Sequence, residues 1–306
     1  MGKVYSNSDM LAWMALFSDR MSVSPEKIKL INICGVDKNV LPTIETHKRV
    51  MIFADSSHPD LFWKFWEAGF GEYNMWYAKG VSPDAEDQEI GSCKVQDLMD
   101  QKITEPMVIF IVNETTREAQ RFGIRNEFFS QGSVRYVGRE IRAVIMNMLS
   151  VDSHDTICIV SGESIVIEAA IIASEGCIIA VETDEGSKRA MTENVDKFGV
   201  TNVRIVTDVN AEQMEGLPVP RLSFIVASPD TDRQIGDLLK INPKMQFIIY
   251  TLELDTLANL KNIFDKYGIR RTETLQISVS KTDSNSVFVA QPSPWLISGE
   301  VIEKKQ

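Results

Sequence analysis

Cysteine and histidine are scarce in this chain of 306 residues, and neither is spaced for a metal site. The four cysteines (Cys34, Cys93, Cys158 and Cys177) have no CxxC spacing, and the three histidines form no ligand pair. A structural zinc site needs several such ligands at short spacings, so we predict no metal. Cys158 and Cys177 lie inside apolar runs and are predicted to be small core residues.

Long apolar runs and positive charge are also lacking. No run approaches the ~18 residues of a membrane-spanning helix, and the N-terminus has no signal-peptide pattern, so we predict a cytoplasmic protein. Lys and Arg number 32 against 43 Asp and Glu, which gives a net charge of -11. Such a chain repels phosphate backbones and anionic lipid, so neither nucleic acid nor membrane is predicted as a partner.

Short apolar runs and helical patterns fill residues 1–115, for which we predict a small α/β module. Helices are predicted from Leu11 to Met21 and within 58–70; strands are predicted at 28–33, 49–54, 74–78 and 107–112, the first two in a parallel sheet. An acidic loop, 84–89, is predicted to be solvated. His58 comes at a strand-to-helix junction, a usual place for ligands, although no Ser-His-Asp arrangement follows from spacing. Helical spacing predicts a core-facing stripe, with Trp63 off it, made of Leu61, Phe62, Phe65, Trp66 and Phe70.

Strands and helices alternate more clearly in residues 116–306. Strands are predicted at 156–160, 177–182, 203–206, 222–227 and 246–251. Helices are predicted at 164–174, at 187–198 before Gly199, and at 254–267 before Gly268. Residues 271–281 and 286–293 are predicted to close the chain as an antiparallel hairpin. This order predicts a Rossmann-like class I methyltransferase domain with a mostly parallel seven-stranded sheet. A nucleotide-binding Rossmann domain is the alternative for the pattern alone.

Four segments of residues 116–306 point to a particular protein family: RNEFFSQGSVRYVGREIRAVIMNMLSV, IEAA, AVETDEGSKRAMTENVDKFGVTNVRIV and QPSPWLIS. They resemble the decarboxylating precorrin-6Y methyltransferases of cobalamin biosynthesis. The Arg139-Glu140-x-Arg142 core and the helix end at Asn194, Phe198 and Gly199 match that family. FADSSHPDLFWKFWEAGFG in the first part is similar to the C-terminal half of a tetrapyrrole methylase domain.

The loop after the first strand of this domain departs from the family pattern. Alignment back from IEAA places Ile157 at the family's acidic position and Ile159, Ser161 and Glu163 at its three glycines; only Gly162 remains. Those glycines let S-adenosylmethionine lie against the backbone. Each added side chain is expected to project into the ligand's space, and the Glu163 carboxylate to approach the ligand's own.

The resemblance implies S-adenosylmethionine as cofactor and a tetrapyrrole as substrate. It implies cofactor contacts from Glu182 at a strand end, from Asp208 after the next strand, and from the loop at Ser161, Gly162 and Glu163. For Glu182 and Asp208 an ordinary acidic strand end explains the residue about as well. Arg139 and Arg142 are candidates for binding tetrapyrrole carboxylates; surface ion pairs with Glu140 or nearby acids are the alternative.

Two functions from different classes follow. The first is methyl transfer from S-adenosylmethionine to a corrin precursor, by a catalytic residue that the pattern does not identify. The second is a non-catalytic relative that binds a tetrapyrrole or a protein partner, with cofactor binding lost. An enzyme with the pocket re-purposed for another ligand is a third hypothesis. The family resemblance also suggests a homo-oligomer.

Overall fold

The computed structural model of the protein describes residues 4–83, 89–116, 123–132, 137–282 and 285–301. The chain forms two compact units, Met1–Ala119 and Gln120–Gln306. Each unit has its own main sheet, of five and seven strands respectively. Apart from Glu89, the predicted acidic loop lies outside the described residues.

The first unit contains three helices and five strands among its described residues. The helices are α1 (Asn7–Met21), α2 (Val40–Thr46) and α3 (Leu61–Phe65), the last continued by a π-helical turn, Trp66–Phe70. The strands are β1 (Lys29–Asn32), β2 (Arg49–Ala54), β3 (Asn74–Lys79), β4 (Gly91–Lys94) and β5 (Met107–Val112). The sequence did not predict α2, which is short and contains Pro42, or β4, which has no apolar alternation.

The parallel arrangement predicted for the first two strands is confirmed, but the other strands of this sheet pair antiparallel. The order is β1-β2-β5-β3-β4, and only β1 and β2 pair in parallel. The runs are apolar throughout because β2 and β5 are covered on both faces: Ile52 and Ile109 pack on one side, Phe53 and Phe110 on the other. Burial on both faces, rather than strand direction, produces that composition.

The aromatic stripe of α3 is only partly buried. Phe62, Phe65 and Phe70 are in the core as predicted, but Trp66 is 41% exposed and stacks beside the exposed Trp63 with ring centroids 5.0 Å apart. The helix changes to a π-helical turn at Trp66, which shifts the angular position of the residues that follow. The prediction of a core role for Trp66 is therefore wrong.

The second unit begins with α4 (Arg139–Leu149) and then alternates strand and helix. The strands are β6 (Thr156–Val160), β7 (Cys177–Val181), β8 (Val203–Val206), β9 (Leu222–Val226), β10 (Gln246–Thr251), β11 (Ile269–Gln276), β12 (Ser280–Thr282), β13 (Phe288–Ala290) and β14 (Trp295–Val301). The helices that follow α4 are α5 (Glu163–Ile172), α6 (Glu185–Phe198), α7 (Ala211–Met214), α8 (Thr231–Ile241) and α9 (Leu254–Tyr267). Gly199 and Gly268 end α6 and α9 in the left-handed conformation, as their positions predicted.

The seven-stranded, mostly parallel sheet is confirmed, with the order β11-β14-β10-β9-β6-β7-β8. Its antiparallel strand is β14, inserted between β10 and β11. The prediction of antiparallel pairing at the end of the chain is thus correct, but the second strand was misplaced: β11 pairs with β14. Residues 286–293 supply only β13, which pairs with β12 in a separate two-stranded ribbon.

Helices cover both faces of this sheet. One core cluster joins α4, α5 and α6 to the sheet, and a second joins α7, α8 and α9 to the opposite face. The chain runs from β6 outward to β8 and then returns to β9 on the other side of β6. Ligands of open α/β sheets bind outside the carboxyl ends of the strands at such a reversal. No helix in the described part of the chain is long and apolar enough to cross a membrane.

Candidate functional site

The loop from β6 to α5 keeps the backbone shape of a glycine loop although it contains a serine. Ser161 has φ of 56°, in the left-handed region that glycine adopts without strain. A non-glycine residue there costs about 1 kcal/mol. Gly162, at the N-cap of α5, must stay small because an added Cβ would lie 2.5 Å from Ile159 Cγ2. Ile159 is inside β6 and packs in the core, so the loop begins only at Ser161.

Glu163, the first residue of α5, points toward the segment that precedes α4. Glu163 is 7% exposed, and its Oε2 accepts a hydrogen bond from the Gly132 amide at 3.3 Å. A Cβ on Gly132 would lie 2.4 Å from Glu163 Oε1 and 2.5 Å from Ser187 Cα, so the Gly132 backbone packs directly on both. Burial raises the pKa of Glu163 above its ordinary value.

A reciprocal pair of hydrogen bonds fastens the same segment to α6. The Ser130 amide donates to Asn194 Oδ1 at 2.8 Å, and Asn194 Nδ2 donates to the Ser130 carbonyl at 3.0 Å. Asn194 is fully buried. This residue belongs to the family-like pattern noted above, and its contacts explain the need for an amide. Gly132 therefore lies against the N-terminal ends of α5 and α6, while Ser130 is fastened farther along α6.

Glu182 follows β7 and is 1% exposed. Its Oε1 has no hydrogen-bond partner among the described residues. Burial, together with the nearby carboxylates of Glu163 and Asp184, raises its pKa to about 7. An orphan acceptor of this kind suits a ligand that donates a hydrogen bond, such as a ribose hydroxyl.

Asp208, after β8, is already bound within the protein. Arg233 Nη1 and Nη2 donate to its two carboxylate oxygens, each at 3.0 Å, and the Val209 amide donates at 2.9 Å. Burial alone would raise the pKa of Asp208, but the hydrogen bonds from Arg233 and Val209 lower it overall. A ligand would have to compete with the arginine for this carboxylate.

Arg142, the second arginine of the predicted substrate pair, lies in the core with 0% exposure. Its Nε donates to Glu168 Oε1 at 2.6 Å, its Nη groups donate to the carbonyls of Val137 and Ile124, and its guanidinium stacks over Phe129. Arg142 thus forms its ion pair with Glu168 in the core, and not with Glu140 at the surface. As folded, Arg142 is enclosed and cannot contact a substrate carboxylate; it holds the segment before α4 against α5.

Arg139 is exposed at the start of α4, beside a cavity of about 350 Å³. Glu140 on the cavity wall binds Lys281 of β12 at 2.6 Å. Tyr250 and Leu252, at the carboxyl end of β10, form another wall. The cavity thus lies between α4, β10 and the β12–β13 ribbon, on the ligand-binding side of the sheet.

In the first unit the structure brings together a Ser-His-Asp cluster that spacing did not reveal. His58 Nε2 lies 3.1 Å from Asp37 Oδ1, and His58 Nδ1 lies 2.9 Å from Ser57 Oγ. Ser57 also donates to Asp55 and accepts from the Gly35 amide. These contacts stabilise the turns after β1 and β2, with the serine hydroxyl already committed to Asp55. No group of three or more His, Cys, Asp or Glu side chains among the described residues could hold a metal ion.

The second unit has the three-layer architecture and strand order of class I methyltransferases, with an acidic residue after β7 and a tight turn after β6. A solved structure shows the same fold. Precorrin-6y C5,15-methyltransferase from Geobacter metallireducens is 22% identical, with a TM-score of 0.55, over 60% of this chain and 100% of that one. The C-terminal domain of precorrin-6Y C5,15-methyltransferase from Rhodobacter capsulatus is 16% identical, with a TM-score of 0.48, over 59% and 99%.

Within that class, residues 127–290 match the family described as precorrin methyltransferase domain, and this is more than half of the chain. The chain therefore belongs to the precorrin methyltransferase family. A relative in Methanococcus maripaludis, a probable cobalt-precorrin-6B C(15)-methyltransferase (decarboxylating), is 23% identical over 172 residues. That alignment covers 54% of this chain and 92% of the relative.

Membership of this family implies S-adenosylmethionine, but the described residues do not fit it in this arrangement. Gly132 packs directly on Glu163 and Ser187, so no layer of ligand can lie between them. Glu163 stands at a glycine position of the family, where its carboxylate is expected to approach the ligand's own. Among the described residues, the unpartnered Glu182 Oε1 suits a hydroxyl group of the cofactor; Glu163 Oε1 and Ser187 Oγ also lack hydrogen-bond partners.

Proposed function

We propose that this protein is a non-catalytic member of the precorrin methyltransferase family, which binds a corrin precursor without using S-adenosylmethionine. The contact of Gly132 with Glu163 and Ser187 carries this proposal, because it fills the space between the N-terminal ends of α5 and α6. Hydrogen bonds to Asn194 hold Ser130, and the buried Arg142–Glu168 pair binds Ile124 and Val137 on either side of this segment. Opening the space would break several of these contacts together.

The tetrapyrrole is placed at the cavity of about 350 Å³ beside α4. A volume of this size suits part of a macrocycle, the remainder lying on the surface. Lys281, already paired with Glu140, lines the cavity, and Arg139 is exposed next to it; these are the cations near which peripheral carboxylates would lie. Asn126, Gln131 and Gln291 offer amides. The sequence of the first unit resembles half of a tetrapyrrole methylase domain, which is consistent with a tetrapyrrole as the ligand.

Methyl transfer from S-adenosylmethionine is the second candidate, and the orphan Oε1 of Glu182 favours it. A buried acceptor without a partner costs about 1 to 3 kcal/mol. A bound ribose would remove that cost. This candidate requires residues 130–132 to leave their position.

Calorimetric titration with S-adenosylhomocysteine, the demethylated product, separates the two candidates. We expect no binding by the wild-type protein at about millimolar ligand, where the binding free energy would be only about -4 kcal/mol. The double variant Ser161→Gly/Glu163→Gly is expected to gain binding, and Glu182→Ala in that background to lose it. Glu163→Gln is the control that keeps the side-chain volume and removes the charge.

Micromolar binding by the wild-type protein, lost on Glu182→Ala, would contradict the proposal and support methyl transfer. Tetrapyrrole binding has its own test, an absorbance titration with cobyrinic acid, a corrinoid that carries carboxylates. Dicyanocobinamide, in which amides replace most of these, is the matched ligand. We expect cobyrinic acid to bind more tightly, and Lys281→Gln to reduce the difference; equal binding of both would count against the proposed cavity.

A further inference from the structure

A second cavity, of about 140 Å³, lies on the opposite face of the second unit, between α9 and the edge of the sheet at β11 and β14. Its floor is apolar: Leu260 and Phe264 from α9 are each 2% exposed, Ile269 is 4% exposed and Ile297 is 1% exposed. An apolar cavity of about 150 Å³ is large enough for a benzene molecule. The floor therefore fits a branched or aromatic group of that size.

The rim carries two cationic side chains without a polar partner among the described residues. Lys261 and Arg271 line the cavity, and neither side chain forms a hydrogen bond or ion pair within that part of the chain. Their neighbours differ: Lys266 binds Asp232 at 2.8 Å, and Arg270 binds Glu300. In a chain of net charge -11, these two cations give the apolar opening a local positive charge that favours an anionic ligand.

We propose that this cavity is a binding site for a small carboxylate with a branched or aromatic body. The apolar body lies on Leu260, Phe264 and the two isoleucines, and the carboxylate accepts hydrogen bonds from Arg271 and Lys261. Asp265, one turn along α9 from Lys261, also lines the rim and makes no side-chain contact within the described residues. Its carboxylate is a partner for an ammonium group. A plain carboxylic acid and an apolar α-amino acid therefore both carry the carboxylate and apolar body that the site requires.

The test is methyl NMR on the full chain with three probes of the same apolar body: 4-methylpentanoate, L-leucine and 3-methylbutanol. We expect saturable shifts of the Ile269 and Ile297 methyl groups with at least one of the two carboxylates. The alcohol is expected to bind about tenfold more weakly, since it lacks the charge-assisted hydrogen bonds. If leucine binds more tightly than the plain acid, and Asp265→Asn removes that advantage, the ligand is an amino acid; the reverse order identifies a monocarboxylate.

The double variant Lys261→Gln/Arg271→Gln is expected to weaken carboxylate binding about tenfold or more. Arg270→Gln is the matched control, because Arg270 precedes Arg271 on β11, carries the same charge and points to the opposite face. No shift of these methyl groups, equal binding of the alcohol, or unchanged affinity in the double variant would each overturn the proposal. Both cations are exposed, so we expect the double variant to keep the fold, and the spectra of each variant without ligand check this.

Discussion

Glu182 should make the second unit less stable as pH rises, because its carboxyl group is buried without a hydrogen-bond partner for Oε1 in the described structure. Burial, with the nearby Glu163 and Asp184 carboxylates, raises its pKa from 4.5 to about 7. In the unfolded chain the group ionises near its ordinary pKa, so between these two values the folded state binds more protons. The resulting stability is fully present below the unfolded pKa and is lost as pH rises through the folded one.

The magnitude follows from the difference between the two pKa values, 4.5 and about 7. Each unit of pKa corresponds to about 1.4 kcal/mol, so the complete effect is about 3 kcal/mol. Between pH of about 5 and about 8, most of this, roughly 2 to 3 kcal/mol, should be lost. Glu182→Gln removes the titration, and the variant should therefore gain stability relative to wild type as pH rises.

The assay is urea unfolding followed by thiol labelling of Cys158, which is fully buried in the core of the second unit. Mass spectrometry of the peptide that contains this residue reports the second unit alone. Glu185→Gln is the control, because Glu185 has an 83% exposed side chain at the start of α6. If wild type and Glu182→Gln lose stability in parallel across this pH range, the burial argument is wrong.

Two further predictions concern the loop and the buried ion pair. Ser161→Gly should change the unfolding free energy by less than about 1 kcal/mol, because relief of the left-handed strain is offset by a more flexible unfolded chain. Gly162→Ala should cost about 1 to 3 kcal/mol, because its Cβ would approach Ile159 Cγ2 to 2.5 Å. Glu168→Gln should cost about 3 to 5 kcal/mol, because it leaves the charge of Arg142 buried and unpaired. All three are measured by the same urea unfolding assay.

Matched variants serve as controls for these predictions. Glu140→Gln, at the surface pair with Lys281, is the comparison for Glu168→Gln and should cost no more than about 1 kcal/mol. Equal losses at the buried and surface pairs would contradict the role given to burial. A Gly162→Ala protein as stable as Ser161→Gly would show that the α5 N-cap relaxes more easily than its contacts indicate.

The fold of the second unit could be predicted from the sequence to a large extent, because its signals are local. The run from Thr156 to Val160, the helix end at Gly199 and the strand-helix alternation each depend on neighbouring residues. The last strand could not be found in this way. Its residues, Trp295–Val301, follow two prolines and contain Gly299, so they lack a strand pattern until β10 and β11 pair with them.

The identities of the candidate site residues were also visible in the sequence, but their partners were not. The departures at Ser161 and Glu163 followed from the resemblance to the family, whereas the packing of Gly132 on Glu163 joins positions 31 residues apart. The same limit applies to Arg142 with Glu168 and to His58 with Asp37.

The amino-acid sequence by itself thus determined where most strands of the second unit and its glycine-ended helices fall, since backbone preferences act over a few residues. Only the tertiary structure decided that Arg142 is enclosed, that Trp66 is exposed and that Glu182 is buried without a partner in the described structure. The physical reason is that burial and charge pairing depend on which distant segments meet. These tertiary contacts set the free-energy cost of desolvating each group, and no local sequence pattern encodes them.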